Sequence, residues 1–435
     1  MKKFTVNRAK VLNGEIKVPG DKSISHRAVM LGSIAKGVTV IENHLNSDDC
    51  LRTVDCFKKM GVSITFEGNK VVIEGKGLGG LSEPIDVFDV GNSGTTIRLL
   101  LGILAAQKFH STLTGDESIR RRPMGRVIEP LKKMGAVIHG RDHDTLAPLS
   151  VIGKELKAIT YNMPISSAQV KSAILLAGLF ASGVTNVIEK EATRDHSERM
   201  LEYFGAKIKK EGNSISIEGH HEIAGREVFV PGDISSAAFP IVAALIIPGS
   251  EVLIRDVGVN PGRTGIIEVF HRMGAELEVK DERILSNEPV ADISAKYSQM
   301  KGIEISGSII PRIIDEIPII AVAATQAQGK TVIKGAEELR VKESDRIKTT
   351  VKELKRLGAN IEESRDGIVV YGPSKLKGAV CQSYGDHRIA MISAIAGLAA
   401  SGNTTVEKVE CVETSFPSFT DIINKLSSEP LITVS

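Results

Sequence analysis

The sequence predicts an α/β protein made of six copies of one structural unit, divided into two globular domains of three. Three observations carry this prediction. At 435 residues the chain exceeds what one compact core holds, and its 42% apolar residues can fill two or three. A helix-like segment ending in a short turn at glycine recurs five times, as FKKMGVSI, LKKMGAVI, LEYFGAKI, FHRMGAEL and LKRLGANI. A polar start followed by an Ala/Leu/Ile-rich stretch recurs six times, as GDKSISHRAVML, GNSGTTIRLLL, ISSAQVKSAILL, GDISSAAFPIV, IDEIPIIAVAA and GDHRIAMISAI.

The five glycines, Gly61, Gly135, Gly205, Gly274 and Gly358, each precede an alternating apolar run, which marks a helix carboxyl cap turning into a strand. Gly-Asn or Asp-Gly between apolar runs predicts hairpins in FEGNKVVIEG, KKEGNSISIEG and SRDGIVVYG. Interleaving these signals gives strand, apolar helix, strand, amphipathic helix and hairpin in a period of about seventy residues. Pro-Gly-Asp occurs at 19–21 and again at 231–233, which suggests the two crossings between domains. One domain then spans 20–231, and the other joins 1–19 to 232–435.

The apolar helices have little polar face and should lie inside their domain. Their starts expose unpaired N–H groups and a partial positive charge, so each is either a simple cap or an anion site. If they point toward the other domain, the cleft becomes a funnel for a small, multiply anionic substrate.

Charged residues make up 25% of the chain, the net charge is only +2, and the two signs are interspersed, so neither nucleic acid nor membrane is an expected partner. The amino-terminal residues meet charges before any run long enough for a signal peptide, and the protein is expected to stay in the cytoplasm. Cys50, Cys56, Cys381 and Cys411 are too scattered for a disulfide framework and read as buried thiols.

Several starts add groups able to do chemistry. Lys22, Ser23 and Arg27 suit a phosphate or carboxylate, although GDKSISHR lacks the spacing of a nucleotide-binding P-loop. Gly94, with Asn92 and Thr95 nearby, permits close backbone approach at another start. Arg120, Arg121 and Arg122 form the densest basic cluster, either a solvated loop or an anion clamp. Ser166, Ser167 and Gln169 suit hydroxyls or phosphate, and Arg194 and His196 open a charged helix start. Asp315 and Glu316 interrupt an apolar segment as caps or poised bases. Lys342, Glu343 and Arg346 fall within about one helical turn, as an ion-pair network or as part of a site. Asp386, His387 and Arg388 form the last polar start. No zinc-ligand spacing, Ser/His/Asp order or dinucleotide fingerprint competes, and neither metal nor cofactor is expected.

GDKSISHR, GNSGTT, RRRPM, SAQVKS, RVKESDR, GDHR and TSFP occur together and in order, and in this the chain resembles the 5-enolpyruvylshikimate-3-phosphate (EPSP) synthase family over essentially its whole length. The resemblance implies the enolpyruvyl transferase fold, two domains of three βαβαββ units, with the active site in the interdomain cleft. It implies transfer of the enolpyruvyl group of phosphoenolpyruvate to the 5-hydroxyl of 3-phosphoshikimate by addition and elimination, with release of phosphate. Carried over by motif, Lys22, Gly94, Arg122, Gln169, Arg346 and Arg388 would hold phosphoenolpyruvate. Lys22, Ser23, Arg27, Ser167, Gln169, Arg194, Asp315 and Lys342 would hold 3-phosphoshikimate. Asp315 and Glu343 would move protons, with Lys22 and Lys342 stabilising charge. A monomer is expected.

Ser167-Ala168-Gln169, Arg194 and His196 resemble the second major subgroup of that family, whose arginine can meet the shikimate carboxylate. Thr414 stands where some members carry a lysine near phosphoenolpyruvate. Two rivals remain: enolpyruvyl transfer to UDP-N-acetylglucosamine, whose catalytic loop cysteine has no counterpart in GDESIRRRPMG, and a noncatalytic scaffold binding anions or RNA ends, which would gain nothing from Asp315 and Glu343.

Overall fold

Each of the six polar starts opens a helix, and these helices organise the structure. They span Lys22–Ile34, Gly94–Leu104, Ala168–Gly178, Ile234–Ile246, Ile317–Gln326 and His387–Ala399. The computed structural model describes residues 1–435 and divides them into two compact units. The first three helices lie in the unit of Gly20–Val230 with Ile284–Glu288, and the last three in the unit of Met1–Pro19, Pro231–Arg283 and Pro289–Ser435. Side chains of Asp21, Ser93, Ser167, Asp233 and Asp386 cap five of the helices by accepting a first-turn N–H. The helix after Glu316 lacks such a cap and has proline in its first turn instead.

Beyond their first turns these helices are buried on nearly every side, and every residue of Ile234–Ile246 is buried. Each unit has its own core of aliphatic side chains around its three helices. Packing there is close: a Cβ on Gly102 would fall 2.2 Å from the Ala173 carbonyl oxygen, so helices Gly94–Leu104 and Ala168–Gly178 approach at a point that only glycine permits.

Six four-stranded sheets surround the helices. Parallel strands need a crossover, and the buried helix supplies it. Thus Phe88–Asp89 pairs with His110–Thr114 across one helix and Thr160–Asn162 with Val184–Ile188 across the next. Three sheets are completed from far along the chain: Glu227–Phe229 runs beside Lys36–Glu42, Asn13–Lys17 beside Glu251–Gly258, and Lys3–Val6 between Thr404–Glu407 and Ile432–Val434. The three expected hairpins are present at Ser63–Glu67/Lys70–Lys76, Ile208–Glu211/Ser214–Glu218 and Asn360–Ser364/Gly367–Gly372.

All five cap glycines have positive φ, from 81° to 104°, as the repeat predicts. They terminate amphipathic helices such as Asp48–Lys59, which buries Val54 and Phe57 and turns its lysines to water. The sixth unit carries only the short helix Phe419–Asn424. Three of the four cysteines are buried; Cys411 is only partly so, and all are free. No helix is long and apolar enough to cross a membrane.

Ile284–Glu288, the tip between strands Glu276–Leu285 and Glu288–Lys296, groups with residues 20–230 for a physical reason. Ser286 Oγ accepts from Phe229 N at 2.9 Å, Asn287 donates to the Arg199 carbonyl at 3.0 Å, and Glu288 meets His196 Nδ1 at 2.7 Å.

Candidate active site

In the unit of residues 20–230, helix Lys22–Ile34 carries three cationic or titratable groups on two turns. Lys22 Nζ lies 3.1 Å from Asp49 Oδ2, on the first turn of the next helix. Arg27 is buried, and each nitrogen of its guanidinium meets a neutral acceptor: Nε donates to Ser197 Oγ at 2.7 Å, Nη2 to Ser172 Oγ at 2.8 Å and Nη1 to the Ser23 carbonyl at 2.8 Å. Burial pulls its pKa down to about 10, against a partial upward pull from Glu198 and Asp21 and with Arg194 adding to the fall. His26 points into the core against Thr53 Oγ1 at 2.7 Å, and burial, then Lys22 and Arg27, hold its pKa well below the usual imidazole range.

A second cluster forms where helices Gly94–Leu104 and Ala168–Gly178 begin. Arg98 Nη1 donates to Gln169 Oε1 at 2.6 Å, and Gln169 Nε2 donates to Thr95 Oγ1 at 3.1 Å. A Cβ on Gly94 would lie 2.9 Å from Arg122 Nη1 and 3.2 Å from Arg98 Nη1, so two guanidinium groups converge on a glycine at a helix amino end. Of the three consecutive arginines, Arg120 and Arg121 are exposed, Arg121 beside Glu117 at 3.4 Å, and Arg122 alone turns inward. Ser167 caps its helix, while Ser166 Oγ accepts from Glu191 N at 2.9 Å and so ties the segment before Arg194 to the same helix start.

The other unit gathers acids with its cations. Arg346 is 2% exposed, and its Nε donates to Asp386 Oδ2 at 2.9 Å, its Nη1 reaches Asp315 Oδ1 at 3.4 Å and its Nη2 binds Glu343. Burial alone would lower its pKa, but Asp386, Glu343 and Asp315 together raise it above the ordinary arginine value. Asp386 is fully buried and also accepts from Ser344 Oγ at 3.0 Å and Arg388 N at 2.9 Å. Arg388 Nη1 donates to the Asp315 carbonyl at 2.7 Å, and Lys342 Nζ stands 3.8 Å from Asp315 Oδ1. Behind them, Glu316 is fully buried, accepts from Ser235 Oγ and has Arg388 at 3.9 Å and Arg263 at 4.0 Å.

One sequence expectation is corrected. Lys342, Glu343 and Arg346 do not share a helical turn: helix Arg346–Arg356 begins only at Arg346, because Asp345 caps it by accepting from Lys348 N at 3.1 Å. Lys342 and Glu343 lie in the extended lead-in after a 3-10 turn, which frees Glu343 to reach Arg346. Thr414 turns its hydroxyl to the Cys411 carbonyl at 2.7 Å.

The family model described as EPSP synthase (3-phosphoshikimate 1-carboxyvinyltransferase) matches residues 6–423. The chain belongs to the EPSP synthase family. It is 55% identical over 419 residues to the 3-phosphoshikimate 1-carboxyvinyltransferase of Geobacter sulfurreducens, covering 96% of this chain and 98% of that one. It is 57% identical over 416 residues to the protein of the same description from Bacillus cereus (strain B4264), covering 96% and 97%. The solved EPSP synthase of Acinetobacter baumannii superposes with a TM-score of 0.90 at 46% identity, with all of both chains covered. As an EPSP synthase the chain is a transferase of the shikimate pathway, moving an enolpyruvyl group to 3-phosphoshikimate.

Sequence reading passed over Arg98 and Asp49, which join these clusters through Gln169 and Lys22. Arg98 lies inside a motif already singled out, one helical turn beyond Gly94, and Asp49 follows Asp48 in the acidic first turn of its helix.

Proposed function

We propose that both units serve one reaction, each contributing residues to the binding of both substrates. Lys22, Gly94, Arg122, Gln169, Arg346 and Arg388 hold phosphoenolpyruvate, and Lys22, Ser23, Arg27, Ser167, Gln169, Arg194, Asp315 and Lys342 hold 3-phosphoshikimate. The observation that carries this reading is Arg346 holding Asp315 and Glu343 together: two carboxylates on one buried cation, beside Lys342 and Arg388.

The chemistry needs two proton movers. Asp315 takes the proton of the acceptor's 5-hydroxyl as its oxygen bonds to C2 of phosphoenolpyruvate, while Glu343 delivers a proton to C3. The tetrahedral adduct then expels phosphate, and Glu343 recovers a proton from the methyl group to leave the new enol ether. Lys22 and Lys342 stabilise the charge that develops on oxygen in these steps, where preorganised cations act most strongly. Arg194 receives the acceptor's carboxylate.

The protein acts in the cytoplasm as a monomer without nucleic-acid or membrane partners, a reading supported by its balanced charge and checked by sedimentation. Phosphate release, measured with phosphoenolpyruvate and each acceptor, tests the assignment. Turnover with 3-phosphoshikimate alone is expected; turnover only with UDP-N-acetylglucosamine, or with neither, would sink it.

A further inference from the structure

Lys171 is one of the largest fully buried side chains, and the reaction makes no use of it. Its Nζ lies 3.0 Å from Glu189 Oε2 and 2.6 Å from Glu198 Oε1, all three with nearly no solvent access. A buried ammonium persists only if it is paired, so these groups dictate one another's positions. What they dictate matters. Lys171 sits one turn into helix Ala168–Gly178, behind Ser167 and Gln169. Glu189 follows strand Val184–Ile188, and its second oxygen accepts from Thr193 N at 3.2 Å and from the Thr193 hydroxyl. Arg194 comes next in the chain. Glu198 lies in the first turn of helix His196–Tyr203, beside Ser197, whose hydroxyl accepts from Arg27 and donates to Ser172 Oγ at 2.6 Å.

We propose that Lys171 is a positioning residue for the acceptor, acting through Glu189 and Thr193 to set Arg194. Fully enclosed, Lys171 touches no substrate. An apolar side chain of the same length would fill the space but would not direct the Glu189 carboxylate, and with it Thr193. Burial pushes the Glu198 pKa up while Lys171 pulls it down, so the pair is a charge balance that the lysine maintains.

This inference rests on the reading that Arg194 meets the acceptor's carboxylate. Steady-state constants for Lys171→Met, Arg194→Ala, the double variant, Thr193→Val and Thr193→Ser test both ideas. Lys171→Met should raise the KM for 3-phosphoshikimate about tenfold or more, with kcat and the KM for phosphoenolpyruvate within about threefold. Thr193→Val, which alters no buried charge, should raise the same KM less, and Thr193→Ser should restore it. The double variant should be no worse than Arg194→Ala, because the two residues act in series. Multiplying effects in the double variant, or a Thr193→Val protein with an unchanged acceptor KM, would overturn the positioning role. An Arg194→Ala protein with an unchanged acceptor KM would instead overturn the substrate reading, and the inference with it.

Discussion

Arg27 and Arg346 are both buried guanidiniums near helix starts, and their surroundings are opposite. Arg27 is held by two serine hydroxyls and a backbone carbonyl, with Glu198 only partly offsetting the penalty of burial. Arg346 is held by three carboxylates, which more than offset it. On the proposed reading, the first region keeps positive charge that an incoming anion can settle, and the second, its cation already neutralised, keeps acids that can exchange protons. Arg27 lies on one of the six polar-start helices and Arg346 opens an amphipathic helix of the other unit, and it is their neighbours that make the two surroundings opposite.

The largest effects should come from the acidic region. Asp315→Asn and Glu343→Gln are each expected to lower kcat by about 10²- to 10⁴-fold, with smaller changes in either KM. If Asp315→Asn instead raised the acceptor KM and left kcat nearly unchanged, that residue would be a binding group and the contrast would weaken. Arg27→Met should act the other way, raising the acceptor KM roughly 10- to 100-fold while kcat changes little. A smaller effect is expected at Gly94. An alanine there must displace the ends of Arg122 and Arg98, so the KM for phosphoenolpyruvate should rise on the order of tenfold with the acceptor KM little changed.

The smallest effect concerns stability. Burial and the nearby cations depress the folded-state pKa of His26 below its unfolded value near 6.5. The unfolded chain therefore binds more protons in that window, and stability is full above about pH 6.5 and lost as pH falls toward the folded pKa, by at most about 1.4 kcal/mol per pH unit. Urea midpoints at pH 7.5 and 5.5 should differ in the parent protein, and by less in His26→Gln. Equal differences would show that protonation of His26 is not linked to unfolding in this window.

What could be read in the sequence was what repeats. The polar starts and the cap glycines are local, periodic signals, and a left-handed residue at Gly274 follows from its neighbours alone. Charged motifs pointed to the right segments but not to the right members: nothing in Arg120-Arg121-Arg122 says that only the third turns inward. Lys342 and Glu343 are expected on one helical turn with Arg346, but the helix begins only at Arg346, where Asp345 caps it. Arg98, Asp49 and Lys171 take their meaning from partners distant in sequence, at Gln169, Lys22, Glu189 and Glu198. The strand Glu227–Phe229, which completes a sheet begun at Lys36, is invisible to any local window.

Strand Lys3–Val6 occupies an inner position of its sheet, hydrogen-bonded on one side to Thr404–Glu407 and on the other to Ile432–Val434. Its partners are synthesised long after it, since Lys3 pairs with Glu407 and Phe4 with Val434. At roughly 5–20 residues per second the interval is on the order of twenty to eighty seconds, and the unit of Gly20–Val230 with Ile284–Glu288 is complete well before it ends. Nascent chains should thus pass through a stage with one unit built and an unpaired apolar strand ahead of it. That makes chaperone demand during translation a property of the topology itself.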